Sequence, residues 1–589
     1  MKKHLVIFLS VMLLLVIVFC FTSCGETDSP PPPPPTEGLE YIELLDGSYS
    51  VSVGTATEVE HIVIPNAYQD KPVTKIAPVG FSNCTALESI TIPNGVTTIG
   101  ERAFYLCRNL KKVNIADSVT IIGEQAFSDC YALEEIVIPD SVLTIEGYAF
   151  SKCGNLASVT LSKNIKSLSI HAFSDADVEN ATIPMSALSI FSASELKTVN
   201  ITAVTDNTIG QYAFSRYKNL TNITIPDSVT SISERAFSGC ESLVSVNIPT
   251  GVTKISDETF NGCKSLLSID IPEGVTAIGE RAFSGCGSLK SVNIPQSITS
   301  IGSGAFSGCG SLRSVNIPQS VTSIGSGAFS SCNDLKEVVI PDGITDIPGG
   351  MFRGCNDLVR VTLPDSIKSI GGGAFSSCRH LTSITIPEGV TAIGERAFSG
   401  CFNLVEVINK SSIDLESDLA IWDGGHYIKE IHSGESKIKE QNGYLFYTYE
   451  GVNYLVGYAG DETDLVLPES YNGATYEINQ FAFYSDQSLT SVTFSDGVSA
   501  VGDYAFMDCQ YIKNLDLGHG VKSIGREAFH VCMSLTEVII PKSVTSMGDS
   551  TFASREGVTI YCEADSQPDG WSPNWNRYNN NNVIWGYEE

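Results

Sequence analysis

The stretch AFSGCGSLKSVNIPQSITSIGSG, residues 282–304, is one period of a pattern that runs through most of the chain. A sixteen-residue part of it, IPEGVTAIGERAFSGC, stands at 271–286 and again, letter for letter, at 386–401. The copies lie 115 residues apart, five times 23. Aligned on phenylalanine, the sequence falls into three runs: Phe81 to Phe173, Phe214 to Phe398 and Phe483 to Phe552, with every step inside a run equal to 23. In the copy after the quoted one the apolar positions are Phe306, Leu312, Val315 and Ile317, led in by Ile298 and Ile301. The spacing L-x-x-V-x-I ends in strict alternation. Val315 and Ile317 therefore point one way and Ser314 and Asn316 the other, as on a half-buried strand. A proline at once stops that strand, and a turn leads to a second short apolar segment. No part of the unit is long enough for a regular helix. Each copy can bury its apolar residues only against its neighbours, so the pattern predicts a stacked solenoid with one continuous core. Phe283, Phe306 and Phe329 form an interior ladder, with Cys286, Cys309 and Cys332 beside it.

These residues resemble a leucine-rich repeat, and more closely its 23-residue bacterial subtype, named for the BspA-like surface proteins. The resemblance covers about residues 60–405 and 475–560, and eighteen phenylalanine anchors keep its period. It implies a mainly β repeat solenoid with short parallel strands and loops, on an exported surface lipoprotein of a class whose members are mostly adhesins or ligand binders. It does not imply a particular ligand.

Outside the repeat, the opening MKKHLVIFLSVMLLLVIVFCFTSC (1–24) has two lysines, an apolar run and small residues before a cysteine. This is the pattern of an export signal, and FTSC resembles a lipobox with Cys24 as the lipidated residue. The stalk that follows holds six consecutive prolines, which favour an extended rod. Residues 38–76 and 443–478 echo each other: two alternating strands around a turn, then a lead into the first phenylalanine of a run. A hairpin in such a place covers the open edge of a solenoid. The expected organisation is a signal peptide (1–24), a stalk (25–38), a hairpin cap (39–80), a first repeat block (81–408), a spacer with a second hairpin cap (409–480), a second block (481–562) and a tryptophan-rich cap (563–589). Between Phe173 and Phe214 the interval is 41 residues, where two periods require 46, and a local change of curvature is expected there. The last segment carries Trp571, Trp575 and Trp585, read as covering the exposed end of the core, with a sugar-stacking platform as the alternative.

Chemistry is harder to find. Fourteen of the seventeen cysteines stand three residues after a phenylalanine anchor. Identical positions in stacked copies point the same way, and a disulfide needs side chains that converge, so the thiols are expected to be free and buried. No catalytic motif, metal-ligand spacing or phosphate loop is present, and neither a metal nor a cofactor is expected. His380 and His530 lie near Cys378 and Cys532 but read as loop variants, and replacing His380 with alanine is expected to be silent. The acidic GDETD at 460–464 reads as a solvated turn. A net charge of −31, from 67 acidic and 36 basic residues, opposes nucleic-acid binding.

What remains is an adhesin-like surface binding protein that meets a host or neighbouring-cell protein or glycan and is held to the membrane by its lipid anchor. A structural surface component without a ligand is the second reading, and an enzyme with its activity in 409–480 the third. The candidate binding surface is the outward side of the L-x-x-V-x-I strands: Ser291, Asn293, Ser314 and Asn316, with Glu337, Arg360 and Thr362 breaking the uniform rows.

Overall fold

In the computed structural model of the chain, residues 34–416, 419–422, 428–553, 557–577 and 581–588 are described. The signal segment, Cys24 and most of the stalk lie outside them.

Most repeats contribute two short strands, and in the copy around Phe306 the first is reduced to a bridge between Ser314 and Glu337. Ser291–Asn293 follows from the L-x-x-V-x-I alternation, with Val292 buried and its two neighbours exposed. It pairs in parallel with Ser268–Asp270 one period back, Val292 opposite Ile269. After Pro295 the chain turns, the proline carbonyl accepting the Ile298 N–H, and Ser300–Ile301 pairs in parallel with Ser323–Ile324 one period on. A third backbone ladder lies where the sequence showed only a turn. Phe283 N–H donates to Ala305 O at 2.8 Å and Gly285 N–H to Ser307 O at 2.7 Å. The polar backbone of the phenylalanine turn is thus satisfied by the next repeat, which lets the segment be buried without regular secondary structure.

Inside, the phenylalanine rings stack along each run. Phe306 lies 5.3 Å from Phe283 and 5.4 Å from Phe329, centroid to centroid, with the planes nearly parallel. Beside them each repeat thiol after Cys84 donates to the phenylalanine carbonyl of the repeat before, as Cys286 does to Phe260 O at 3.2 Å, Cys309 to Phe283 O at 3.3 Å and Cys332 to Phe306 O at 3.3 Å. A cysteine here fills a methyl-sized space and supplies a weak second donor to a carbonyl that also accepts the N–H of the cysteine in its own repeat, as Phe283 O does from Cys286 N–H. The described cysteines are all free and buried. Two glycines of the unit have separate causes. Gly285 sits at φ +72°, and a Cβ on Gly302 would stand 2.6 Å from the Glu280 nitrogen of the preceding turn.

Hairpins open both blocks. Glu40–Glu43 runs antiparallel to Tyr49–Ser52, which pairs in parallel with Lys71–Ile76 and so starts the stack. Tyr444–Tyr449 and Val452–Tyr458 repeat the arrangement, the second strand pairing in parallel with Tyr476–Ile478. One apolar core runs from Tyr49 to Trp422 and another from Tyr444 through Trp575. In the short interval after Phe173, a 3₁₀ turn at Met185–Ile190 brings Phe191 against Phe173, with centroids 5.2 Å apart and planes tilted by 39°. A ring from outside the period thus continues the stack, and the neighbouring strands shift register at Ile183/Pro184. At the far end Trp571 and Trp575 are buried, and the Trp571 indole N–H donates to Val544 O. Both are turned into the core, which removes them as a sugar-stacking platform.

Candidate functional site

The solenoid exposes one repeated surface of polar side chains, the outward rows of the L-x-x-V-x-I strands. Ser291, Asn293, Ser314 and Asn316 are all exposed there, and Val292 and Val315 beneath them are buried. Among the described residues, none of these four side chains hydrogen-bonds to another, so their donors and acceptors face solvent. Thr362 is exposed on the same side of its strand. Glu337 and Arg360 are held differently. Arg360 pairs with Glu337 at 3.0 Å and with Glu440 of the spacer, so this end of the row is engaged within the chain.

That engagement belongs to a junction between the two blocks. The position just before the strand is Lys290, Arg313 and Lys336 in three successive copies, then Val359, Thr382 and Val405. Val359 and Val405 are buried under Leu445, Tyr447 and Val456 of the second hairpin. Lys336 meets Asp461 at 2.9 Å, and Asn403 donates to Val456 O at 2.5 Å. The loops between cysteine and leucine take part as well. Phe402 stacks on Phe481 at 5.3 Å, and the Arg379 guanidinium lies 5.3 Å from the centre of the Tyr484 ring. Glu406 is fully buried and accepts from His432, Ser436 and the Lys437 N–H, which fixes the descending spacer against the last repeat.

His380 corrects the sequence reading. It is buried in the junction, with Nε2 2.9 Å from the Tyr484 carbonyl oxygen and Nδ1 3.4 Å from Asp357 Oδ1. Burial opposes its charge, yet the hydrogen bond to Asp357, with the charges of Asp357 and Asp486 and the Tyr484 carbonyl, holds its pKa above the ordinary imidazole value. Two acceptors facing two ring nitrogens are satisfied together only by the protonated form. It bridges the two blocks in a geometry that favours its cation, and its replacement is expected to weaken the junction.

Past Cys84, whose thiol the hydrogen bond with Cys107 holds below the ordinary value, the cysteine rows are chemically quiet. Burial pushes the Cys286 and Cys355 thiols up to about 12, and Cys309 and Cys332 well above the ordinary value. A thiol held protonated is neither a nucleophile nor a metal ligand. Among the described residues no group of three metal-ligating side chains comes together. The GDETD carboxylates are used within the chain, Asp461 by Lys336 and Asp464 by Thr490.

The stack of 23-residue turns agrees with a comparison against known families. Segments 74–194, 187–313, 299–420 and 472–564 match the model of the BspA type leucine-rich repeat region. The chain belongs to this family. In BspA-type terms, the regular copies supply the uniform rows, and the divergent copies from Cys355 to Asn409 supply the junction. A leucine-rich cell surface protein from Faecalibacterium prausnitzii is 31% identical, over 57% of this chain and 84% of that one, with a TM-score of 0.26. A leucine-rich repeat protein from Bacteroides ovatus is 21% identical over 93% and 98%, with a TM-score of 0.20. The pneumococcal vaccine antigen PcpA is 18% identical over 68% and 98%, with a TM-score of 0.22. With TM-scores this low, the family assignment rests on the repeat match. No curated protein matches the chain.

Proposed function

We propose that this chain is an exported, lipid-anchored, non-enzymatic binding protein that presents the outward strand rows of its first block to a protein or glycan on a neighbouring surface. The observation that carries the reading is the set of exposed, internally unpartnered hydroxyls and amides of Ser291, Asn293, Ser314 and Asn316, repeated at strand spacing. Adjacent strands are about 4.8 Å apart, so equivalent groups recur along the solenoid at that interval. Short hydroxyls and amides bind weakly one at a time, without the clustered Trp, Tyr and Arg of tight protein hot spots. Many such contacts to a polymeric ligand add through effective concentration. The F. prausnitzii relative bears the description of a cell surface protein, and the segment 1–24 has the pattern of a lipidated export signal, both in keeping with display outside the cell.

Retention of the purified chain on immobilised matrix proteins and mucin glycans tests the proposal. Replacing Ser291, Asn293, Ser314 and Asn316 together with lysine is expected to abolish retention while the β-sheet signal stays unchanged. Full retention by the folded variant refutes the assignment of the surface. The anchor is checked separately: Cys24→Ala is expected to leave a precursor that no longer partitions into the detergent phase, and unchanged partitioning contradicts lipidation.

A further inference from the structure

The outward rows change character in the second block. Thr493 stands opposite Asp516, and Ile539 opposite Tyr561, at the positions that carry asparagine in the regular copies of the first block. The tail beyond the last tryptophan is pinned by backbone hydrogen bonds, Gly586 N–H to Ala564 O at 2.9 Å and Tyr587 N–H to Cys562 O at 3.0 Å. This pinning sets the Tyr587 ring 4.8 Å from the Tyr561 ring, with planes inclined at 49°. The two tyrosines line a groove of about 340 Å³ that also includes Lys513, Asn514, Asp516 and Glu537. Across Asp516 and Ile539 it continues into a second hollow of about 540 Å³, bordered by Glu469, Asp496, His519 and Glu563.

Five carboxylates therefore surround the double groove, against one lysine. Three of them are oriented by backbone donors: Asp516 accepts Gly518 N–H, Asp496 accepts His519 N–H, and Glu563 accepts Lys542 N–H. Among the described residues, none of the five forms an ion pair with a lysine or arginine. Some carboxylates of the first block are instead neutralised by a neighbouring repeat. Glu241 lies between Lys218 and Lys264, at 3.0 and 2.9 Å, and Glu258 binds Arg235 at 2.6 Å. The second block thus leaves negative charge uncompensated around a concave surface that has an aromatic wall.

We propose that this groove binds an extended cationic polypeptide segment, its lysine or arginine side chains lying between the unpaired carboxylates and one of them seated against the Tyr561–Tyr587 pair. Charge complementarity selects the class of partner. A cation relieves the mutual repulsion of the carboxylates and gains further from the faces of the tyrosine rings. An anionic glycan or a nucleic acid is repelled, and a neutral sugar leaves the repulsion in place. Two adjoining hollows suit a chain that crosses both better than a single small cation. The site is separate from the rows of the first block, so failure of either proposal leaves the other standing.

The test is fluorescence anisotropy of a short labelled peptide of alternating arginine and serine, titrated with the full chain at physiological ionic strength. Saturable binding is expected. Asp516→Asn combined with Glu537→Gln is expected to weaken it by about tenfold, and Tyr561→Ala alone by about fivefold. Glu135→Gln combined with Glu273→Gln removes the same charge from exposed positions of the first block and is expected to change nothing. Equal weakening by both pairs reduces the attraction to the diffuse field of the whole molecule and overturns the proposal. So does absence of binding, and so does a neutral oligosaccharide that binds the chain and is lost on Tyr561→Ala, which would assign the groove to a glycan.

Discussion

Phe306→Ala deletes the middle ring of the longest stack. The side chain has no exposed surface and rests between Phe283 and Phe329 at 5.3 and 5.4 Å. Removing a buried phenylalanine costs about 3–5 kcal/mol through lost transfer energy and the cavity left behind. Two lost ring contacts, each worth about 0.5–1.5 kcal/mol beyond burial, place this position at the upper end of that range. The backbone is not part of the loss, because Phe306 N–H still donates to Ala328 O. Each turn touches only its neighbours, so the effect has to be local. Hydrogen exchange of the full chain, followed by mass spectrometry, reads this directly, because opening free energies are resolved segment by segment. Amides from about Phe283 to Phe329 are expected to lose about 3–5 kcal/mol of protection, while the turns at Phe104 and Phe529 keep theirs. A loss below about 1 kcal/mol would show that the ring is not load-sharing in the core. An equal loss in both blocks would show that the chain does not behave as a stack of neighbour-coupled turns.

Three further outcomes follow from particular residues. Thiol titration is expected to find the repeat cysteines unreactive in the folded chain and free once it is denatured without reductant, since all are buried and those after Cys84 donate to a carbonyl; fewer than about half reacting would restore disulfides, against the parallel geometry. His380 carries a raised pKa in the junction, from Asp357, Asp486 and the Tyr484 carbonyl working against burial, so its contribution is fully present below the ordinary imidazole value and is lost as pH rises through the raised one. His380→Ala is expected to cost the amides around Phe481–Ser485 about 1–3 kcal/mol of exchange protection at mildly acidic pH and less at alkaline pH, and identical protection in both proteins at both pH values contradicts the structural-cation reading. Val531 is a β-branched residue at φ 62°, a conformation that disfavours it, so Val531→Gly is expected to stabilise the second block against urea by about 1 kcal/mol; destabilisation would mean that the side chain contributes more by packing than the backbone loses by strain.

The period of 23 made the solenoid legible because every repeat must bury the same residues against the next. The V-x-I alternation located the strand, and the parallel cysteine positions argued against disulfides before any distance was known. The third backbone ladder was not legible, because hydrogen bonds from Phe283 and Gly285 leave no periodic side-chain mark. Phe191 was missed because it lies outside the period, and its place in the stack depends on a 3₁₀ turn. The junction did leave a signal. Lysine and arginine at 290, 313 and 336 give way to Val359, Thr382 and Val405, and apolar residues at a position otherwise exposed mark a covered face. His380 belongs to the same set of departures, and reading it alone concealed that. In the second block, the tyrosines of the groove come from a strand and from a tail whose return is fixed by backbone hydrogen bonds, which no spacing in the sequence announces.

Adhesion of whole cells tests the central claim most directly. Cells displaying the chain are compared with cells displaying the Ser291, Asn293, Ser314 and Asn316 to lysine variant on a mucin-coated or matrix-coated surface, with display matched by antibody staining. The account predicts that the unaltered chain confers attachment and that the variant, equally displayed, does not. Equal attachment by both would contradict it.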